Sequence, residues 1–148
     1  MPQRILQTVT RLRYGLLFTL LAFCAPSYAG DILVNIDAEQ ATGTVYLALA
    51  LADQDQWPAT PLRQTQVQDG VALFAEVPPG RYALQVYRDD NGNGQLDLSP
   101  RGVPLEPVGF SANPSLARGK PKPLACLFEH GNGDTELQIE LHSARAKR

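Results

Sequence analysis

The side chains able to do chemistry concentrate in one short stretch, Asp89 to Asp97, which reads DDNGNGQLD. Asp89, Asn91 and Asn93 stand two apart, and Gly94, Gln95, Leu96 and Asp97 follow. This matches the opening of a calcium loop. Alternating side-chain oxygens face a hard cation, a glycine at the sixth place lets the chain turn, the seventh residue offers its backbone carbonyl, and the ninth adds an oxygen. The ligands in this frame are Asp89, Asn91, Asn93, the Gln95 carbonyl and Asp97. The twelfth place, which calls for a bidentate glutamate, holds Pro100. A last carboxylate must come from elsewhere, and Glu106 in GVPLEPVGF is the nearest, with Asp90 the other. So few charges predict a weak calcium site, nearer the ~10⁻⁴–10⁻³ M of extracellular modules than a cytosolic sensor. Without Cys or His in the loop, zinc and iron are disfavoured. The same residues also read as a hairpin turn, because Asn-Gly is a strong hairpin signal and occurs here twice.

Little else in the chain suits catalysis. His130 and His142 are the only histidines. His142 falls on the polar face of a strand, and His130 lies in EHGNGD, which reads as a turn. Ser111 in GFSAN lacks the strand-turn-helix setting of a nucleophile elbow. Glu106 and Asp97 supply a carboxylate pair of the type used in general acid–base hydrolysis, with nothing beyond residue type in support. The reading is therefore a non-catalytic module, with a Glu106/Asp97 hydrolase as the lesser alternative. Trp57 in DQDQWPATPL either anchors its loop or stacks on a small molecule or peptide, which gives a metal-independent binding module as the other alternative.

The elements that must position these residues are strands. Ile32, Val34 and Ile36 alternate with other residues, and Thr44 to Leu51 is apolar on both faces, as a central strand requires. Val71 to Val77 and Arg81 to Tyr87 are joined by Pro78, Pro79 and Gly80, a tight turn. Leu137, Ile139 and Leu141 alternate with polar residues, the pattern of a strand buried on one face. Weaker strands are expected at Thr65 to Gln68 and Leu124 to Phe128. Ala52 to Arg63 reads as loop, as does Asp89 to Pro123, with six of the 12 prolines. A connection that long is a functional or a disordered segment. No stretch keeps a helical period. The expectation is an all-β, single β-sandwich of about seven strands, of immunoglobulin-like or related type, over residues 30–142.

Residues 1–29 are set apart. Arg4, Arg11 and Arg13 precede the apolar run Tyr14 to Cys24, and Ser27 and Ala29 provide small residues for cleavage. This is the order of a signal peptide removed after Ala29. The run is about half of the ~20 residues needed to span a bilayer, and Phe23 stands where a lipidated cysteine needs a small neighbour. Losing three arginines from the 13 basic residues leaves 10 against 15 acidic ones. Apart from the basic, disordered tail expected at 143–148, no positive stripe remains, so nucleic acid is not an expected partner. Cys126 becomes the sole cysteine and reads as a small buried hydrophobe. A secreted or periplasmic protein meeting an envelope ligand or protein, with no membrane span after cleavage, is the reading of the address.

FAEVPPGRYALQVYRDDNGNGQLD followed by RGVPLEPVGFS resembles an exported bacterial family, domain of unknown function 2141. Its Pro-Gly-Tyr strand corresponds to Pro79, Gly80 and Tyr82, and its Asp-x-Asn-Gly-Asn-Gly loop to Asp89 through Gly94. Its Gly-x-Pro-x-Glu-Pro-x-Gly-Phe-Ser segment corresponds to Gly102, Pro104, Glu106, Pro107, Gly109, Phe110 and Ser111. The resemblance implies an exported sandwich similar to transthyretin-like or carboxypeptidase-regulatory domains, and it brings no activity with it. The ring-hydrolysing members of the transthyretin group carry a histidine-rich site and a Tyr-Arg-Gly-Ser ending that this chain lacks.

Overall fold

The computed structural model describes residues 29–37 and 43–142. The expected signal segment, but for Ala29, and the expected tail at 143–148 lie outside them. No helix among the described residues is long and apolar enough to cross a membrane.

Among the described residues, eight strands form two sheets. They are β1 (Gly30–Asp37), β2 (Thr44–Leu51), β3 (Arg63–Gln66), β4 (Val71–Val77), β5 (Gly80–Asp89), β6 (Val108–Phe110), β7 (Leu127–His130) and β8 (Thr135–Glu140). One sheet has the order β4-β1-β8, with β8 parallel to β1; the other runs β3-β2-β5-β6, and β7 also pairs with β5. The chain is an all-β sandwich, as its alternation predicts. Ile32, Val34, Ile36, Leu47, Leu49, Phe74, Leu84, Val86 and Ile139 meet between the sheets. Burying each such side chain is worth about 1.5–3 kcal/mol. The two-faced strand β2 lies between β3 and β5, as its apolar faces require.

Strand β5 is buried on both faces, because the long connection after it folds back over the five-stranded sheet. Ala83 and Tyr87 point to that outer side and form a second apolar cluster with Ala52, Val108, Phe110 and Cys126, against which Trp57, Leu96 and Leu116 pack. Burial pushes the Cys126 thiol up to about 12, the state of an inert hydrophobe.

Several expectations need correction. The connection from Asp89 to Pro123 contains strand β6, three residues too short to show a period, which raises the count to eight. The strand expected at Leu124 to Phe128 opens as a 3₁₀ turn, Pro123–Cys126, with proline at its start, and pairs only from Leu127. The strand expected from Thr65 begins at Arg63. His130 is not in a turn: it ends β7, buried, with its ring nitrogens 2.7 Å from Thr135 Oγ1 and 3.0 Å from the Val77 carbonyl.

Strands β6 and β7 pair with the same side of β5 in succession and leave Leu84 between them. Ser111 fills this gap. Its backbone amide donates to the Leu84 carbonyl at 3.1 Å, its hydroxyl accepts from the Leu84 amide at 2.8 Å, and the hydroxyl donates to the Cys126 carbonyl. The serine thus completes a ladder that would otherwise leave buried amide groups unpaired, at a cost of about 1–3 kcal/mol each.

The sheets are also stitched to each other along both sides. On one side the Arg63 guanidinium of β3 donates to the carbonyls of Ala75 and Glu76 in β4. Glu76 takes a left-handed φ of 52° there, and its amide donates to Asp31 at 2.9 Å. On the other side Val108 and His142 exchange two backbone hydrogen bonds of 3.0 Å, which carries the chain past β8 onto β6. Gly109 makes this crossing possible. A β-carbon there would lie 2.3 Å from the Glu140 carbonyl oxygen and 2.9 Å from side-chain carbons of Ile139 and Val86. The Asn113 amide then occupies the free side of β8, accepting from the Glu140 amide and donating to the Gln138 carbonyl.

Candidate functional site

The DDNGNGQLD loop grows out of the end of β5. Asp89 is the last residue of that strand and is buried, while Asn91 through Gln95 are exposed. Asp89 Oδ1 accepts from the amides of Gly92 and Asn93 at 2.7 and 3.2 Å, and Oδ2 accepts from Gly94 at 2.7 Å. The chain can curl so tightly round one carboxylate because Gly92 and Gly94 take φ of 78° and 73°, a region that glycine enters without penalty. The hairpin reading therefore fails in its simple form: the two Asn-Gly pairs build a wrapped loop, not a two-residue turn between paired strands.

The amide oxygens of Asn91 and Asn93 accept from the backbone amides of Asn93 and Gln95 at 3.1 and 2.8 Å. Their nitrogens converge on Asp97: Asn91 Nδ2 lies 2.5 Å from Oδ2, and Asn93 Nδ2 lies 3.1 and 3.2 Å from the two oxygens. Asp89, Asn91, Asn93 and Asp97 are thus brought together, and Gln95 joins through its amide. Glu106 is brought to the loop in another capacity. Buried, it accepts from the Asp90 amide at 2.9 Å with Oε1 and from the Asp97 amide at 3.1 Å with Oε2. One carboxylate therefore clamps both ends of the loop. Asp90, the other candidate for the missing twelfth ligand, points to Arg88 in a two-point ion pair at 2.6 and 3.2 Å.

Sequence reasoning missed a further anchor. The Tyr87 hydroxyl donates to the Gly94 carbonyl at 2.9 Å, and its ring stacks on Tyr46 with centroids 5.5 Å apart. Burial raises the Tyr87 pKa, so the phenol stays a donor. The available signal was its place two residues before Asp89, on the same face of β5.

The loop's donors are oxygens, the kind a hard cation takes. No three His, Cys, Asp or Glu side chains among the described residues form a metal-ligand group, so amide and carbonyl oxygens would have to complete a shell of the six to eight that calcium takes. A carboxylate offers about four lone-pair sites; Asp89 gives three of them to the amides of Gly92, Asn93 and Gly94, and the Asn91 amide also acts on it. Asn91 and Asn93 would have to turn their oxygens inward and release their present backbone bonds.

The Asp89 carboxyl has its own acid signature. Burial pushes its pKa up, but the amides of Gly94, Gly92, Asn93 and Asn91 outweigh that and hold it below its ordinary 3.8. A depressed folded-state pKa contributes stability that is present above the unfolded value and is lost as pH falls through the folded one. Acid titration followed by thermal melts should therefore show a loss of stability below that value that is shallower in Asp89→Asn.

Trp57 is an anchor. Its indole N–H donates to the Pro121 carbonyl at 2.7 Å and its ring lies 5.5 Å from Phe110. Lys120 sits 5.4 Å over the same ring, its pKa lowered by burial to about 8.

The profile of a family described as "Uncharacterized protein conserved in bacteria (DUF2141)" matches residues 34–138. The curated proteins return no match. Among solved structures the chain is similar to the pilus-presented adhesin Spy0125 (Cpa), at 10% identity and a TM-score of 0.28, over 78% of this chain and 27% of that one. A cysteine-to-alanine mutant of the same adhesin gives 10% and 0.26, over 78% and 28%. The chain spans little more than a quarter of the adhesin, and a likeness this slight bears on nothing further.

Proposed function

The chain belongs to the DUF2141 family of uncharacterised bacterial proteins, and from that premise we propose that it is an exported, non-catalytic binding or structural module of the envelope whose Asp89–Asp97 loop is organised by weakly bound calcium. One observation carries the calcium reading. Asn91 and Asn93 donate through their amide nitrogens to the Asp97 carboxylate, while Asp89 accepts from the backbone amides of the same loop, so four residues of the expected spacing are brought together. The engagement of Glu106 and Ser111 with backbone groups supports the non-catalytic part.

Thermal melts test it. A ligand that binds only the folded state stabilises by RT ln(1 + [L]/Kd). For a site of ~10⁻⁴–10⁻³ M, 10 mM calcium should add about 1.4–2.7 kcal/mol, a rise in Tm of about 5 °C or more. Asp97→Asn should abolish the rise. Superimposable melts in 10 mM calcium and in chelator would overturn the reading. A metal-independent module is the second reading, favoured because every oxygen of Asp89 and Asp97 already accepts a hydrogen bond from the chain itself. On that reading the melts coincide.

A further inference from the structure

Beside the loop, the long connection leaves a cleft of about 630 Å³, within the ~300–1,000 Å³ range of small-molecule sites. One wall is a small hairpin. The Leu105 amide donates to the Asp97 carbonyl at 2.9 Å, the Ser99 amide donates to Val103, and Gly102 turns the tip with φ of 73°. That wall contributes Val103 and Pro104, and the segment 113–119 contributes Leu116 opposite. Val108 lies at the β6–β8 crossing, which also brings Glu140 and His142 to the lining.

The carboxylates of this cleft outnumber its bases, with His142 in the lining and Arg88 close enough to Glu106 to feel its charge. Glu106 and Glu140 line it, and no lysine or arginine does among the described residues. Glu106 gives each oxygen to one backbone amide, which leaves lone pairs on both. Glu140 Oε2 lies 3.9 Å from His142 Nε2, too long for a hydrogen bond, so its carboxylate is open to another donor. Asn113 also lines the cleft, but its amide is taken up by β8. Apolar walls beside two carboxylates recognise an apolar stem carrying a positive charge, and they repel an anion of the same shape.

We propose that this cleft is a binding site for a small organic cation, an amine or guanidine on an aliphatic stem, whose charge is drawn by Glu106 and Glu140 while the stem lies against Val103, Val108 and Leu116. The site shares Glu106 with the loop, so its test is run in chelator, and it stands whether or not the loop takes metal. It is the kind of ligand an acidic envelope module could hold without catalysis.

The test is an amide-resolved NMR titration of the ¹⁵N-labelled protein in chelator, with n-pentylamine as probe and pentan-1-ol and pentanoate as neutral and anionic controls. Saturable shifts are expected for Val103, Val108, Leu116 and His142. Affinity should be at least about fivefold higher for the amine than for the alcohol, and weakest for pentanoate. Lengthening the stem should tighten binding about two- to fourfold per methylene. Glu140→Gln should weaken the amine about threefold, the scale of a partly exposed charge pair, and leave the alcohol unchanged. The substitution keeps the Glu140 backbone bonds, so its fold can be checked in the same spectra. Equal response to amine, alcohol and carboxylate would overturn the proposal, as would shifts scattered outside the cleft or none at ~10 mM probe, the weak end of specific ligation.

Discussion

Gly109→Ala should cost about 3 kcal/mol, the upper part of the overpacking range and a large share of a typical domain's 5–15 kcal/mol. The reason is positional. The added methyl would lie 2.3 Å from the Glu140 carbonyl oxygen, and that atom belongs to backbone, which cannot rotate away as a side chain would. Either the Val108–His142 pair breaks or β6 lifts off Ile139 and Val86. Gly94→Ala is the control: nothing lies within 4 Å of its added methyl, so its cost is the left-handed backbone alone, about 1–2 kcal/mol. Urea unfolding of both variants decides the matter. Similar midpoints for the two would mean that the crossing is looser than its geometry requires.

Glu106→Ala should be nearly as damaging, at about 3 kcal/mol, because two amides lose a charged acceptor worth about 1.5–3 kcal/mol each and water recovers part of that at the largely exposed loop. Glu106→Gln separates charge from shape. Its single carbonyl can serve the Asp90 amide or the Asp97 amide but not both, so it should fall between wild type and alanine in the same unfolding series. Hydrogen exchange should locate the loss at Asp90 to Asp97, leaving β1 and β8 protected. An alanine variant as stable as wild type would show that the loop holds itself.

These two positions also show what could be read from the sequence. Strands β1, β2, β4, β5 and β8 were legible because each has enough residues for its alternation to show, and the sandwich followed from their number and spacing. Strand β6 was not, since Val108–Phe110 is too short to carry a period and follows a proline. Leu124 to Phe128 has strand composition, but Pro123 sets the helical φ that starts a 3₁₀ turn. His130 sits in a polar, glycine-rich string, and its burial depends on Val77 and Thr135, 53 and 5 residues away. At the candidate site the residue types were legible and the allocation of their oxygens was not. Spacing shows that Asp89, Asn91, Asn93 and Asp97 can face one point. It does not show that Glu106 is already bonded to the amides at both ends of the loop, a fact of three-dimensional approach across 16 residues. The resemblance segment is intelligible on these terms: Gly102 turns the hairpin, Glu106 clamps the loop, Gly109 permits the crossing, Phe110 fills the second cluster and Ser111 closes the β5 ladder.

The stitching of β3 to β4 by Arg63, and the seat taken beside β8 by Asn113, have a consequence for how such molecules behave when crowded. A bare sheet border is a template on which a neighbour's strand can condense, and from there ordered aggregates grow. Here the carbonyls of Ala75, Glu76 and Gln138 and the amide of Glu140 are already occupied by side chains of the same chain. Those stretches are poor seeds for polymerisation, because a neighbour's strand finds their hydrogen-bonding groups already taken.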